Sequence, residues 1–140
     1  SPGPGIPDEA GIMKQVVSTY GASKSILGIC LGHQGIAEVY GGKLFNIPTV
    51  LHGVTSRVEV RDSSDYLFKE IPKEFAATHY HSWAVVAEDF PTEMKITAVN
   101  PDGLIMGLAH TRHDVKGLQF HPESIMTLAG PAIIKNWLKN

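Results

Sequence analysis

Apolar and polar positions alternate along the chain with two periods, and the change of period divides it. From Asp8 to Tyr20, Ala10, Met13, Val16, Val17 and Tyr20 recur at helical spacing and predict a helix with one apolar face. Asp8 is placed to cap it, Glu9 suits the positive end of its dipole, and Gly21 ends it. Ser25–Ile29 is a short apolar strand. Gly28 to Gly32 then make a tight turn, and His33–Tyr40 reads as the helix that follows, stopped by Gly41 and Gly42. Strand, turn and helix in this order are the unit of a parallel α/β sheet. Beyond residue 50 the period shortens to two. Val54–Val60, Phe75–Tyr80, Trp83–Ala87, Lys95–Val99, Ile105–His110 and Gly117–Phe120 predict closely spaced strands of antiparallel or mixed sheet, with a strong turn at Asn100–Gly103. Pro131–Leu138 predicts a last helix that opens on proline. There is no repeat, low-complexity tract or interdomain linker, so residues 1–140 read as one domain.

Composition narrows the picture. An apolar content of 43% supports a real core, and a net charge of −2 without a basic stripe points away from nucleic acid as partner. No apolar run has the length needed to span a bilayer, and the opening Ser1-Pro2-Gly3-Pro4-Gly5 is a turn sequence rather than a signal peptide, so no membrane partner is expected. A single cysteine, Cys30, rules out an internal disulfide and suggests a reducing, cytoplasmic setting.

The setting of that cysteine suggests chemistry. Gly28-Ile29-Cys30-Leu31-Gly32 has the layout of a nucleophile elbow, in which flanking glycines let neighbouring backbone pass close to a strained central residue. The elbow puts the thiol at a helix N-terminus, where the dipole and free amides favour thiolate, and aims the Leu31 N–H at a carbonyl under attack. Read as bland structure, the same five residues are a βα turn with a buried cysteine. A thiol nucleophile needs a base. Of the histidines, His121 ends an apolar strand and begins His121-Pro122-Glu123. Two residues apart in an extended segment, His121 and Glu123 face one side, so the carboxylate can hold the imidazole's tautomer. Gly3-Pro4-Gly5 offers a stiff backbone for a second oxyanion donor, or an ordinary surface turn. His79 and His81 share a face but lack a third ligand at suitable spacing, so no metal site is expected. His110 and His113, beside Asp114, read as a solvated turn.

Three segments in order, Ser1–Gly5, Gly28–Gln34 and Gln119–Ser124, resemble the class I (triad) glutamine amidotransferases over the whole chain. His52-Gly53, Tyr80-His81-Ser82, and Ser124-Ile125 followed by Thr127 and Gly130 are most similar to the glutaminase component of anthranilate synthase or its twin in aminodeoxychorismate synthase. The resemblance implies a flavodoxin-like α/β fold with a mixed central sheet flanked by helices. It implies Cys30, His121 and Glu123 as the catalytic triad, with Gly3 and Leu31 amides holding the oxyanion. Gly5, Gln34, Ser82 and Trp83 would line the glutamine pocket beside Pro4, with Ser82 and Trp83 acting through backbone groups. It further implies L-glutamine as substrate, no cofactor in this chain, and a chorismate-binding synthase subunit (component I) that receives the ammonia and holds magnesium. A thiol peptidase and a non-catalytic glutamine-binding regulatory subunit remain the other readings of these residues. The chain departs from the family at Val54, commonly lysine, and at Trp83, commonly a smaller aliphatic. The family also has about two βα units and a strand before the Ser1–Gly5 segment. Their absence from these 140 residues predicts that they do not fold stably alone, because central strands would lack partners.

Overall fold

The computed structural model describes residues 2–140, and Ser1, part of the opening motif, lies outside the described residues. Among these residues the chain forms six strands and three α-helices, ordered α1 (Met13–Tyr20), β1 (Ile26–Ile29), α2 (Leu31–Val39), β2 (Leu44–Val60), β3 (Glu74–Val85), β4 (Met94–Val99), β5 (Ile105–His110), β6 (Val115–Leu118) and α3 (Gly130–Lys139). The strands make one mixed sheet in the order β1-β6-β5-β4-β2-β3. Only β1 and β6 run parallel, in the register Gly28 against Gly117; every other pairing is antiparallel. This is the predicted mixed α/β sheet. Its side chains feed two cores, one on each face. Val17, Ile36, Ala37, Leu108 and Val115 pack under α1 and α2, while Met106, Leu118, Phe120 and Ile133 pack under α3.

Several element boundaries differ from the sequence reading, each for a local reason. The helix expected over Asp8–Tyr20 is two pieces, a 3-10 turn at Pro7–Glu9 and then α1, because Gly11 takes φ +62° between them. Asp8 therefore caps nothing; it accepts from Lys14 Nζ at 2.8 Å. β2 starts ten residues before Val54, at Leu44, and runs through Pro48. Proline is tolerated because the β2–β3 register shifts between Asn46 and Leu51, so no ladder bond is needed there. The strands expected at Phe75–Tyr80 and Trp83–Ala87 are one, β3. β6 begins at Val115 and ends at Leu118, two residues earlier than expected, so Gln119 and Phe120 lie beyond it. His110 and His113 are also not a solvated turn. His110 is 5% exposed, its Nδ1 accepts the backbone N–H of Arg112 and His113, and its ring stacks on His113 at 4.4 Å.

Candidate active site

The junction of β1 and α2 is a strained elbow. Cys30 has φ 54° and ψ −102°, outside the helix that begins at Leu31. The packing shows why glycine stands at position 28, while a Cβ on Gly32 would meet nothing within 4 Å. A Cβ on Gly28 would sit 2.5 Å from the carbonyl carbon and oxygen of Gly32, so the strand and the first turn of α2 touch backbone to backbone. The Cys30 N–H donates to the Leu118 carbonyl at 2.8 Å, which ties the elbow to the end of β6.

Cys30 lies on a cavity of about 240 Å³. Three groups of predicted residues reach it: Gly3, Pro4 and Gly5 from the opening loop, Leu31 and Gln34 from α2, and Ser82 and Trp83 from β3. The sequence reading assigned no role to the remaining lining residues, His52 and its neighbours on β2 and Tyr80 and His81 on β3. Tyr80 and His81, like His52-Gly53, belong to segments that carry the family resemblance; Val50 and Leu51 carry no such signal because the irregular pairing of β2 breaks the alternation.

His121 and Glu123 are joined as predicted in geometry: the ring Nδ1 meets Glu123 Oε1 at 2.5 Å. That bond directs the other ring nitrogen. His121 Nε2 is buried and has no hydrogen-bond partner among the described residues. Tyr80 links this pair to the cysteine. Its ring packs edge-on to His121 at 5.3 Å, and its carbonyl accepts from the Cys30 thiol at 3.9 Å. The backbone N–H of His121 donates to the Thr78 carbonyl at 3.1 Å, and Thr78 N–H donates to Thr127 Oγ1 at 3.0 Å, so the His-Pro-Glu segment is anchored on β3.

The expectation that the elbow favours thiolate is only partly met. Burial pushes the Cys30 thiol above its ordinary pKa; the Leu31 amide pulls it down, and the nearby Glu123 charge pushes it up again. Desolvation outweighs the helix-end amide because the residue is only 8% exposed. A thiol held protonated at rest needs a base to become a nucleophile. His79 and His81 are poor bases here. Burial lowers His79 to about 4 and lowers His81 also, and their rings are engaged by Ser56 Oγ at 2.6 Å and the Trp83 carbonyl at 2.8 Å. His121, by contrast, has one ring nitrogen bound to a carboxylate and the other without a partner among the described residues, an arrangement that suits proton transfer.

Gln34 is placed differently from a free substrate ligand. Its Nε2 donates to the Trp83 carbonyl at 2.9 Å and to Gln119 Oε1 at 3.1 Å, so both amide hydrogens are used inside the protein. Gln119 itself, fully buried, donates from Nε2 to Cys30 Sγ at 3.7 Å. The sequence reading quoted Gln119 without giving it a role; a polar side chain in the apolar run before His121 was the available signal.

The chain is similar to known proteins along all of its 140 residues. The family model described as glutamine amidotransferase class-I matches residues 1–140. The bifunctional protein TrpGD of Thermotoga maritima is 45% identical over 99% of this chain, which spans 23% of that protein's length. Aminodeoxychorismate/anthranilate synthase component 2 of Bacillus subtilis is 39% identical over 99% of this chain and is covered over 71% of its own length. Among solved structures, a Thermoplasma acidophilum protein assigned to GMP synthase superposes with a TM-score of 0.83 at 26% identity, over 95% of this chain and 66% of that one. With its full length matched and its elbow cysteine facing a cavity lined from the opening loop, the elbow helix and β3, the chain belongs to the class-I glutamine amidotransferase family.

Proposed function

We propose that this chain is the glutaminase of a chorismate-using synthase, with anthranilate synthase as the first reading. The observation that carries it is the single cavity that brings Cys30 together with the Gly3–Gly5 loop, the elbow amide of Leu31 and the Ser82–Trp83 wall. The reaction follows from these groups. Glutamine enters the cavity with its side-chain amide carbon at Cys30 Sγ. His121 takes the thiol proton as the C–S bond forms, and the amides of Leu31 and Gly3 receive the developing oxyanion. His121 returns the proton to the leaving nitrogen, which departs as ammonia and leaves a γ-glutamyl thioester. Water, deprotonated by His121, cleaves the thioester to glutamate and restores the thiol. Glu123 holds the imidazole in the tautomer that presents Nε2. Ser82 and Trp83 contribute backbone groups to the pocket, and Gly5, Pro4 and Gln34 shape it.

The chain needs no cofactor for this half-reaction; the ammonia passes to a synthase subunit that binds chorismate and magnesium. A cytoplasmic setting suits a single reduced cysteine. The double name of the Bacillus relative favours a second reading, in which the same chain also serves aminodeoxychorismate synthesis.

Cys30→Ser in the full-length protein with its synthase partner tests the reading. Ammonia release from glutamine should fall by more than about 10³-fold while the thermal midpoint holds. Activity near that of the parent protein would end the nucleophile assignment. Product analysis with chorismate and glutamine then separates anthranilate from aminodeoxychorismate.

A further inference from the structure

Gln119 has no part in the reaction as derived so far, yet it is the buried polar side chain aimed at the nucleophile. It follows β6 directly, where the Cys30 N–H is bound to the Leu118 carbonyl, so the backbone brings its side chain against the sulfur. Burying a carboxamide is costly unless its polar atoms are matched, and an apolar side chain could fill the same volume at no such cost. Here both ends are matched: Oε1 accepts from Gln34, and Nε2 donates to Cys30 Sγ.

The orientation of the two carboxamides is fixed by one backbone group. The Trp83 carbonyl can only accept, so the nitrogen of Gln34 must face it. The second hydrogen of that nitrogen then needs an acceptor, which places the oxygen of Gln119 toward Gln34. The nitrogen of Gln119 is left pointing at sulfur. A flip of either amide would set two donors or two acceptors against each other. The chain of bonds therefore runs from the pocket wall, through Gln34 and Gln119, to the nucleophile.

We propose that Gln119 is a positioning residue for Cys30, donating an N–H that holds the sulfur and favours its ionised form during attack. The proposal rests on the reading of Cys30 as the glutaminase nucleophile. The sulfur has competing neighbours. The Tyr80 carbonyl accepts from the thiol and favours the protonated form; the Glu123 charge acts in the same direction. Of the other titratable groups on the cavity, His52, Tyr80 and His81, none donates to the sulfur, and burial keeps His81 neutral. The Leu31 amide, from the elbow, favours the anion, and the Gln119 N–H, from the end of β6, is a second donor directed at the sulfur.

The test reads the thiol directly, in the full-length protein with its partner. Alkylation of Cys30 by iodoacetamide is followed by peptide mass from about pH 5 to about pH 10, beside glutaminase kinetics. Gln119→Glu keeps the volume and the bond from Gln34 but turns an acceptor toward the sulfur. Gln119→Leu removes both polar groups. The alkylation midpoint should rise by about one pH unit in the leucine variant and by more in the glutamate variant. At neutral pH, kcat should fall about tenfold with KM for glutamine held within about twofold. If the leucine variant fails to fold, the isosteric glutamate variant carries the test. Midpoints equal to that of the parent protein in the folded variants would overturn the proposal and leave Gln119 as packing alone. The underlying reading fails separately: a shifted midpoint together with an active Cys30→Ser variant would keep the sulfur contact and remove the reaction it serves.

Discussion

On one side of the cavity, Cys30 and every residue from Leu31 to Ala37 are buried, and the elbow is packed backbone to backbone between Gly28 and Gly32 and tied to β6 at Leu118. On the other side, Tyr80 is 43% exposed and Ser82 and Trp83 are half-buried, and behind Tyr80, off the cavity lining, the Glu123 side chain is 62% exposed. That wall is carried by the irregular β2–β3 ladder, and beyond it single hydrogen bonds across 43 to 49 residues of chain tie it down, from His121 N–H to the Thr78 carbonyl, from Thr78 N–H to Thr127 and from Gln34 to the Trp83 carbonyl. The elbow side is rigid because its backbone has nowhere to go. The wall can yield, since water can replace some of what holds it. Positional demands on a nucleophile are strict, whereas an orienting carboxylate and a pocket rim tolerate solvent, and the two constructions match those demands.

The largest test of that contrast is Gly28→Ala. The added Cβ meets Gly32 backbone, which cannot move without shifting α2, so a loss of about 3 kcal/mol or a failure to fold is expected. Urea unfolding measures it, and a loss below about 1 kcal/mol would show the elbow to be softer than its geometry. Glu123→Gln sharpens the other side. A buried orienting carboxylate is worth about 10⁴ in kcat, but Glu123 is open to water, so a smaller loss of about 10- to 100-fold is expected, read from kcat at fixed pH. A loss as large as that of Cys30→Ser would mean that the exposed side is as exacting as the buried one.

Acid should act through a buried histidine on each side, His33 on α2 and His79 on β3. Burial lowers His33 from 6.5 to about 3 and His79 to about 4. Above pH 6.5 each ring is neutral whether the chain is folded or not, and contributes no slope. Below it, the unfolded chain takes up protons that the folded chain refuses until its own depressed pKa is reached. Stability therefore falls by up to about 1.4 kcal/mol per pH unit for each ring. Urea midpoints between about pH 7.5 and about pH 4.5 should decline, and His33→Asn should flatten the decline. An unchanged slope in that variant would assign the acid sensitivity elsewhere. The smallest effect is expected from Trp83→Leu. Its carbonyl carries the bonds to Gln34 and His81, so kcat/KM for glutamine should stay within about twofold. A larger change would give the indole ring a share in the pocket.

Local chemistry made the elbow and the histidine–glutamate pair legible in the sequence. Glycines two positions either side of Cys30 mark a turn where backbone passes close to backbone, and the extended His121-Pro122-Glu123 segment puts two side chains on one face. The parallel β1–α2 unit and the later run of mixed strands followed from the change of apolar period. What the period could not carry was the first part of β2, ahead of the strand expected at Val54–Val60. Its register shifts and Pro48 erase the alternation, so the strand that supplies His52 to the cavity was hidden. His110 was misplaced for a related reason: its burial depends on Tyr40, which packs on the ring at 4.7 Å from α2's end, seventy residues away.

By itself, then, the sequence determined the elements whose cause is local: the strained cysteine, its glycine neighbours, the orienter beside its histidine, and the mixed α/β class. Tertiary structure alone decided the state of the Cys30 thiol and the identity of its neighbours. Whether the sulfur is ionised depends on desolvation by packed elements set against a few donors, and that balance falls on the protonated side here. Gln119 meets Cys30 across 89 positions of chain only because β6 pairs in parallel with β1. A hydrogen bond over that span is a property of strand order and register, which no window of neighbouring residues contains.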